Sequence, residues 1–372
     1  MSSSAPHIVI RDLGPIDDLV QLKAVEKQVW QMDEEDAIPL TLAIALKEAG
    51  SIFIGAFDAG KSDRNKLDNY KRGKGTSDKE GENKGREKAG SDSCGKEDDK
   101  AREKLVGFAF GFLGREHGQT TIHSHMLAVL ESYRHLDLGR RLKLAQRERA
   151  LAMGIREMTW TFDPLQSRNA HFNFAKLGVV SDTYKVDFYG PETSSVLHRN
   201  GTDRLWVRWL LDSRRVRERI ASATAGATAD IDRPGRAAMD THRGVAKDTP
   251  NGTAEARPWA ARKDPRGEAL DALRLLAPLV RFDGNGRPAR SELSEALARE
   301  RVSIEIPGDI LAIEQADAGL ARAWRDATRW AFRESLKAGF VVVEYCRSIR
   351  GRQGPGAYLL ARTRVEDVGG TP

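Results

Sequence analysis

The chain has 372 residues, of which 40% are hydrophobic and 31% are charged, and its formal net charge is +6. This length predicts two domains, and the apolar fraction is large enough for a hydrophobic core. Two cysteines, Cys94 and Cys346, exclude a disulfide framework and a cysteine-rich zinc site, which favours a cytoplasmic location. No stretch approaches the roughly 20 apolar residues of a membrane span, and the amino terminus lacks a signal-peptide pattern.

The first 212 residues predict a mixed α/β domain. In chain order the predicted elements are strand 7–13, helices 15–31 and 38–49, strands 51–59, 104–114 and 120–130, helix 134–153, strand 157–162, helix 167–177 and strands 179–188 and 204–211. This order lacks the regular strand–helix alternation of a doubly wound sheet, and the chain has neither a P-loop nor a Gly-x-Gly-x-x-Gly motif. The predicted fold class is therefore α/β, of the α+β type, with a mixed sheet.

Two polar segments interrupt this pattern. Residues 60–104 carry almost no apolar side chains, which predicts a disordered insertion between two strands of the first domain. Residues 213–269 are rich in Ala, Thr, Arg, Gly and Pro, and they are predicted to be a flexible linker. Residues 270–372 are predicted to form a second α/β module. It contains one helix that starts near Leu270, a second helix over 316–338, and strands 302–306, 340–346 and 357–361.

One motif in the first domain points to chemistry. The apolar segment Leu127–Val129 is followed by Arg134 and Gly139 at the predicted start of a helix. The amino end of a helix has unpaired N–H groups, and a glycine there lets a phosphate approach the backbone closely. These features suit a pyrophosphate. The alternative is a basic turn in which the glycine only serves packing.

This segment resembles motif A of the GNAT superfamily of N-acetyltransferases, in which an Arg or Gln precedes two closely spaced small residues. Arg134 and Gly139 match the motif, but Asp137 stands where the family has its first glycine. The resemblance implies that acetyl-CoA is the co-substrate and that pantetheine pairs with the backbone of Leu127–Val129, which includes Ala128. It also implies that the pyrophosphate lies on the N–H groups of the first helical turn, near Arg134, Leu138, Gly139 and Arg140.

A second segment, Ser167–Gly178, resembles the late helix of the same superfamily. Phe174 replaces the tyrosine that protonates the departing thiolate in many family members, so the resemblance implies that another acid is needed here. Two asparagines of this helix, Asn169 and Asn173, are four residues apart and are predicted to share a face that contacts the cofactor or solvent. Longer runs, including 123–129, 159–166 and 306–310, resemble a group of GNAT proteins without an assigned substrate.

Three side chains are candidates for the catalytic base. His123 and His125 are two residues apart on a predicted strand, and they are expected on one face together with Thr121, Leu127 and Val129. Imidazole suits proton transfer near neutral pH, although the two rings could also be a buried structural pair. Asp163 ends a predicted strand, where it serves either as a base or as an ordinary turn residue before Pro164. No third ligand at suitable spacing supports a metal site.

The predicted function is transfer of an acyl group, most simply acetyl, from acyl-CoA to an amine of a small molecule or peptide. The alternative is a degenerate GNAT fold that binds acyl-CoA or a protein partner without turnover, as Asp137 and Phe174 suggest. The hypothesis of a nucleic-acid partner rests on net charge alone, because the sequence shows no cluster of aromatic and basic residues typical of a nucleic-acid-binding surface. A membrane partner is not expected.

Overall fold

The structure, a computed structural model, describes residues 6–31, 37–62, 103–190, 200–231, 273, 276, 278–347, 349 and 355–369. Residues 63–102 of the predicted insertion, 232–269 of the predicted linker and 270–272 at the start of the predicted C-terminal module lie outside the described residues. The chain forms two compact units. The first contains Met1–Trp160 and Glu192–Arg199, and the second contains Thr161–Pro191 and Asn200–Pro372. Because residues 161–191 group with the C-terminal half, the units divide the chain earlier than the domain boundary predicted near residue 212.

The first unit combines a sheet with helices. Its elements are β1 (Ile8–Asp12), α1 (Ile16–Trp30), α2 (Leu40–Glu48), β2 (Ile52–Ser62), β3 (Glu103–Glu116), β4 (Gln119–Val129), a 3₁₀ turn (Glu131–Leu136), α3 (Leu138–Ala152) and β5 (Glu157–Phe162), whose last two residues belong to the second unit. Strands β1 to β4 pair antiparallel in chain order, and β5 pairs parallel with β4. His117 and Gly118 join β3 to β4 with φ values of 49° and 79°, the backbone of a tight hairpin turn.

A bulge in β4 determines which side chains share a face. Phe112 pairs with His123, but Phe110 pairs with Met126, so β4 uses one more residue than β3 over this interval. Paired residues of antiparallel strands lie on the same face, and Leu127 pairs with Ala109, three residues from Phe112. The prediction that Leu127 and Val129 share the face of His123 is therefore wrong, because the extra residue reverses the alternation.

Helix α3 covers one face of this sheet. It buries the side chains of Leu138, Leu142 and Ala145, which recur at helical spacing. At Gly111 on β3 a Cβ would lie 2.8 Å from Nε2 of Gln146 in α3, so only glycine lets the helix approach this closely. On α1, Trp30 makes an edge contact with Phe108, with ring centroids 6.2 Å apart.

The second unit also combines a mixed sheet with helices. In chain order it contains α4 (Ser167–Ala170), a π-helical segment (His171–Leu177), β6 (Val180–Lys185), β7 (Arg204–Leu210), α5 (Arg214–Ile231), β8 (Pro278–Phe282), β9 (Pro288–Arg290), α6 (Leu293–Leu297), β10 (Arg301–Ile306), α7 (Ile310–Ala316), α8 (Ala318–Lys337), β11 (Phe340–Cys346), β12 (Gly356–Arg362) and α9 (Val365–Gly369). The strand order is β7-β6-β11-β12-β10-β8-β9, with β8 and β10 parallel and the other neighbours antiparallel. The predicted mixed α/β class is confirmed.

Several predicted boundaries are corrected. The helix predicted from residue 134 begins at Leu138, and α5 occupies the start of the predicted linker. Val280, predicted to be helical, lies in β8 and pairs in parallel with Ile304 of β10. The helix predicted over 316–338 is interrupted at Asp317, whose side chain accepts a hydrogen bond from the N–H of Leu320 at 2.9 Å and begins α8.

Candidate functional site

The residue before α3 has a left-handed backbone conformation. Asp137, between the 3₁₀ turn and the helix, is in the left-handed region with φ 52° and ψ 26°. Aspartate tolerates this region better than most residues other than glycine. Its carbonyl accepts hydrogen bonds from the N–H groups of Arg140 and Arg141, each at 3.1 Å. The turn that a glycine would make is therefore present with an acidic side chain.

Gly139 leaves space at the amino end of α3. Within the described part of the chain, a Cβ at this position would meet only Cδ2 of Leu127, at 3.8 Å, which is an ordinary contact. Its φ is not in the left-handed region, so neither backbone conformation nor packing requires glycine here. The space lies beside β4 and next to N–H groups that a first helical turn leaves without intrahelical acceptors. This is the geometry that a phosphate needs to reach the backbone.

Two arginines add positive charge at this helix end. Arg134 is exposed, and its Nε donates to the carbonyl of Val129 at 3.3 Å, which places the guanidinium beside the end of β4. Arg140 is 8% exposed, and its Nη1 lies 3.7 Å from Oδ2 of Asp137. The carboxylate that departs from the family motif is therefore partly balanced by a cation three residues later.

The segment Leu127–Val129 is held on one side by β3. Leu127 pairs with Ala109, Ala128 with Phe108 and Val129 with Gly107. In the described part of the chain, the parallel pairing of β4 with β5 consists of two positions, Ile122 with Met158 and His123 with Thr159. The predicted pantetheine-binding segment thus follows the paired part of β4.

A hydrogen-bonded chain connects His123 to a carboxylate. Nδ1 of His123 lies 3.1 Å from Oγ1 of Thr159, and the Thr159 hydroxyl donates to Oε1 of Glu116 at 2.8 Å. The three residues come from β4, β5 and the end of β3. The hydroxyl has one proton, which is given to Glu116, so the proton between Thr159 and His123 belongs to the imidazole. Nε2 is then the basic nitrogen of His123.

Aromatic rings surround both histidines. The ring centroid of Phe112 lies 5.4 Å from that of His123 and 5.8 Å from that of His125, and the two imidazoles are 6.4 Å apart. Desolvation, followed by the charges of His125 and Lys143, lowers the pKa of His123 to about 4. Desolvation also lowers the pKa of His125, although part of this side chain is exposed. Both rings are therefore neutral at pH 7.

A buried lysine lies on the opposite face of β4. Lys143 of α3 is 3% exposed, and its Nζ donates to Oγ of Ser124 at 2.7 Å. The same Nζ lies 3.7 Å from the ring centroid of Trp160, and Ser124 donates to Oε1 of Gln146 at 2.7 Å. Desolvation lowers the pKa of Lys143 well below its usual range. This amine contributes to the electrostatic environment of His123.

The remaining predicted site residues lie in the second unit. Asp163 accepts hydrogen bonds from both terminal nitrogens of Arg325, each at 2.8 Å. Asn169 is exposed, whereas Asn173 is 3% exposed, so the two asparagines differ in their access to solvent. Phe174 is fully buried, with its ring 5.8 Å from that of Tyr358. The structure thus brings the histidines, Leu127–Val129 and the α3 terminus together in one unit.

Sequence reasoning missed Glu116, Thr159 and Lys143. Thr159 could have been selected by its place in β5 beside the predicted histidine strand, but the register with His123 is visible only in the sheet. Glu116 stands directly before the His117–Gly118 turn, where a charged residue is unremarkable. The sequence gives no signal that Lys143 is buried, because a lysine within an amphipathic helix normally faces solvent.

The described residues contain no group of three His, Cys, Asp or Glu side chains that could hold a metal ion. Among the helices described, none is both long and apolar enough to cross a membrane.

Comparison with known proteins supports the family resemblance. Residues 68–179 match the sequence model of the acetyltransferase (GNAT) family. No curated protein matches the chain. Solved structures with partial similarity include the ribosomal-protein-S18-alanine N-acetyltransferase of Escherichia coli (12% identity, 55% of this chain and 94% of that chain, TM-score 0.34) and Arabidopsis thaliana NAA60 with a bisubstrate analogue (14%, 55% and 98%, 0.36). A third is the N-acetyltransferase YhbS of Escherichia coli with CoA (15%, 57% and 85%, 0.30). The similarity to the acetyltransferase (GNAT) family is therefore a match of residues 68–179.

Proposed function

We propose that the chain transfers an acyl group, most simply acetyl, from acyl-CoA to an amine of a small molecule or peptide. The observation that carries this proposal is the space over Gly139, at the amino end of α3 and beside β4. A glycine that neither φ nor packing requires is explained by a ligand that approaches the backbone. The match of residues 68–179 to an acetyltransferase family supports the same ligand class.

The residues present fit the two polar parts of acyl-CoA. The N–H groups of Leu138 and Gly139 would hold the pyrophosphate, and Arg134 would add a charge-assisted contact. The N–H of Arg140, also a predicted contact, donates instead to the carbonyl of Asp137 at 3.1 Å. The backbone of Leu127–Val129 would pair with the amide groups of pantetheine. Asn169 and Asn173 remain predicted contacts in the second unit, and the burial of Asn173 makes Asn169 the stronger of the two.

His123 is the proposed base. Its Nε2 would accept a proton from the acceptor ammonium, which gives the nitrogen the lone pair needed to bond to the acyl carbon. Acyl-CoA supplies a carbon whose bond to sulfur breaks as the bond to nitrogen forms, and the second nitrogen proton passes to sulfur. A pKa of about 4 leaves His123 unprotonated at pH 7, and it also makes the imidazole a weaker base than the pKa near 7 that suits this step. His125, close to it, would contribute to the same polar face of β4.

Asp163 is not included in the proposed base. Both of its carboxylate oxygens accept hydrogen bonds from Arg325, so a proton taken up there would weaken a bidentate ion pair.

The alternative function is binding without turnover. Phe174 favours it, because this residue occupies the position of the family tyrosine and has no proton to donate. Its ring is fully buried between Phe162 and Tyr358, with centroids 6.4 and 5.8 Å away. The side chain at 174 thus serves packing of the second unit, and in an active enzyme water would have to replace the missing acid.

The test measures thiol release from acetyl-CoA across a panel of small-molecule and peptide amines. We expect amine-dependent release by the wild type and by His7→Gln, which changes an exposed histidine directly before β1. His123→Gln should lower kcat by about 100-fold, within the range of general base catalysis. An unchanged kcat in His123→Gln would show that the base is misassigned. Acetyl-CoA binding without release for any amine would favour the alternative.

A further inference from the structure

We propose that Glu116 and Thr159 are positioning residues that hold His123 as the Nδ1–H tautomer, with Nε2 as the proton-accepting atom. The catalytic part of this inference rests on the proposed acyl transfer, whereas the tautomer can be measured without any reaction. Neither residue was part of the sequence-based site. Each acts on the chemistry only through the imidazole of His123.

The strands fix the geometry of the chain of hydrogen bonds. Thr159 is the parallel-register partner of His123, so their side chains lie on the same face of neighbouring strands. Glu116 is the last residue of β3, immediately before the two-residue turn into β4. Thr159 is fully buried, and its hydroxyl is 3.1 Å from Nδ1 of His123 and 2.8 Å from Oε1 of Glu116. The hydroxyl on β5 is therefore held by one side chain of β4 and one of β3.

Counting protons gives the direction of each bond. A carboxylate has no proton to donate, so the Thr159 hydroxyl donates to Glu116 and offers a lone pair to His123. A neutral imidazole has one proton, and the only arrangement that makes a hydrogen bond to this lone pair places the proton on Nδ1. The carboxylate thus selects the tautomer across a hydroxyl, without touching the ring.

This arrangement also favours the protonated product of the base step. When Nε2 gains a proton, the bond from Nδ1 to Thr159 is kept and becomes charge-assisted. Glu116 then provides a negative charge at the end of the hydrogen-bonded chain. Removing the carboxylate should therefore weaken His123 as a base, even if its position is unchanged.

The first readout is nitrogen NMR of the full-length protein with ¹⁵N-labelled histidine at pH 7, in which the two ring nitrogens of each tautomer differ in chemical shift. His123 is assigned by the signal lost in His123→Gln. We expect Nδ1–H in the wild type and in Thr159→Ser, which keeps the hydroxyl. Thr159→Val removes the acceptor and should shift the ring toward Nε2–H. In Glu116→Gln the amide can donate to Thr159, whose proton then turns to His123, so Nε2–H should again increase.

The second readout is steady-state kinetics on the same proteins. Thr159→Val and Glu116→Gln should lower kcat about 10-fold or more with little change in the KM for acetyl-CoA, and Thr159→Ser should restore most of the rate. A wild-type ring in the Nε2–H form, or a tautomer that none of the three variants alters, overturns the inference. Tautomer changes as expected in a protein without transferase activity would support the positioning role and reject the proposed function.

Discussion

Arg325 holds Asp163 through two parallel hydrogen bonds, from Nη1 to Oδ1 and from Nη2 to Oδ2, each 2.8 Å long. The arginine side chain is 1% exposed and the aspartate side chain 11% exposed. Nε of Arg325 also donates to the carbonyl of Asn200, and Oδ1 of Asp163 accepts from the N–H of Leu165. The carboxylate that the sequence placed among the candidate bases therefore joins segments of the second unit that are 162 residues apart.

Asp163→Asn should destabilise the protein by about 3–5 kcal/mol, because it leaves the guanidinium of Arg325 buried without its counterion. Denaturant titration provides the measurement. Asp187→Asn is the control, since that carboxylate pairs with Arg329 at 3.0 Å but is 52% exposed, and its loss should cost less than about 1 kcal/mol. Normal stability of Asp163→Asn combined with loss of thiol release would instead identify a catalytic carboxylate.

Arg134→Gln should weaken acetyl-CoA binding about 10-fold at low ionic strength, because it removes a charge-assisted contact to phosphate. The affinity lost should be smaller at high salt. Arg217→Gln is a matched control, as this exposed arginine likewise donates to a carbonyl five residues earlier, that of Asp212. Equal affinities for the two variants would mean that Arg134 does not contact the ligand.

Protein stability should fall as the pH decreases from about 6.5 to about 4, in part through His123. An unfolded histidine has a pKa of about 6.5, and the folded pKa of about 4 means that only the unfolded state binds a proton in this window. The contribution is at most about 3 kcal/mol and shrinks with the solvent that reaches the ring. Above pH 6.5 His123 makes no such contribution to the pH dependence of stability.

The variant His123→Gln should therefore lose less stability than the wild type between pH 7 and pH 4, as measured by urea titration at several pH values. His7→Gln should follow the wild type, because His7 is exposed directly before β1. Parallel pH profiles for wild type and His123→Gln would contradict the lowered pKa.

Local patterns predicted much of the fold. The strand Glu157–Phe162 and the strand Phe340–Cys346 were placed at their observed bounds, since each is an apolar run ended by a turn signal. The start of α3 was placed four residues early, because the 3₁₀ turn and the left-handed Asp137 carry no composition signal distinct from helix. An amphipathic period cannot reveal the change to π geometry at His171.

The candidate site was only partly predictable for a different reason. Gly139, Arg134 and His123 could be predicted because they lie close together in the sequence. Their surroundings depend on contacts between residues that are distant in the sequence. Glu116 and Thr159, which share a hydrogen bond, are 43 positions apart, and the bulge in β4 depends on the register with β3. The alternation of side chains along β4 places Leu127 on the wrong face, because the extra residue of the bulge cannot be recognised in the pattern of apolar side chains.

The most direct measurement of the central claim is calorimetric titration of acetyl-CoA into the wild type, Gly139→Val and Gly14→Val. Gly14 is the control, since a Cβ there also meets open space in the described structure, but at the turn between β1 and α1. The account predicts saturable 1:1 binding that Gly14→Val retains and that Gly139→Val, with its side chain over the first turn of α3, abolishes while remaining folded. No heat with the wild type at millimolar acetyl-CoA, or equal binding by Gly139→Val, would contradict it.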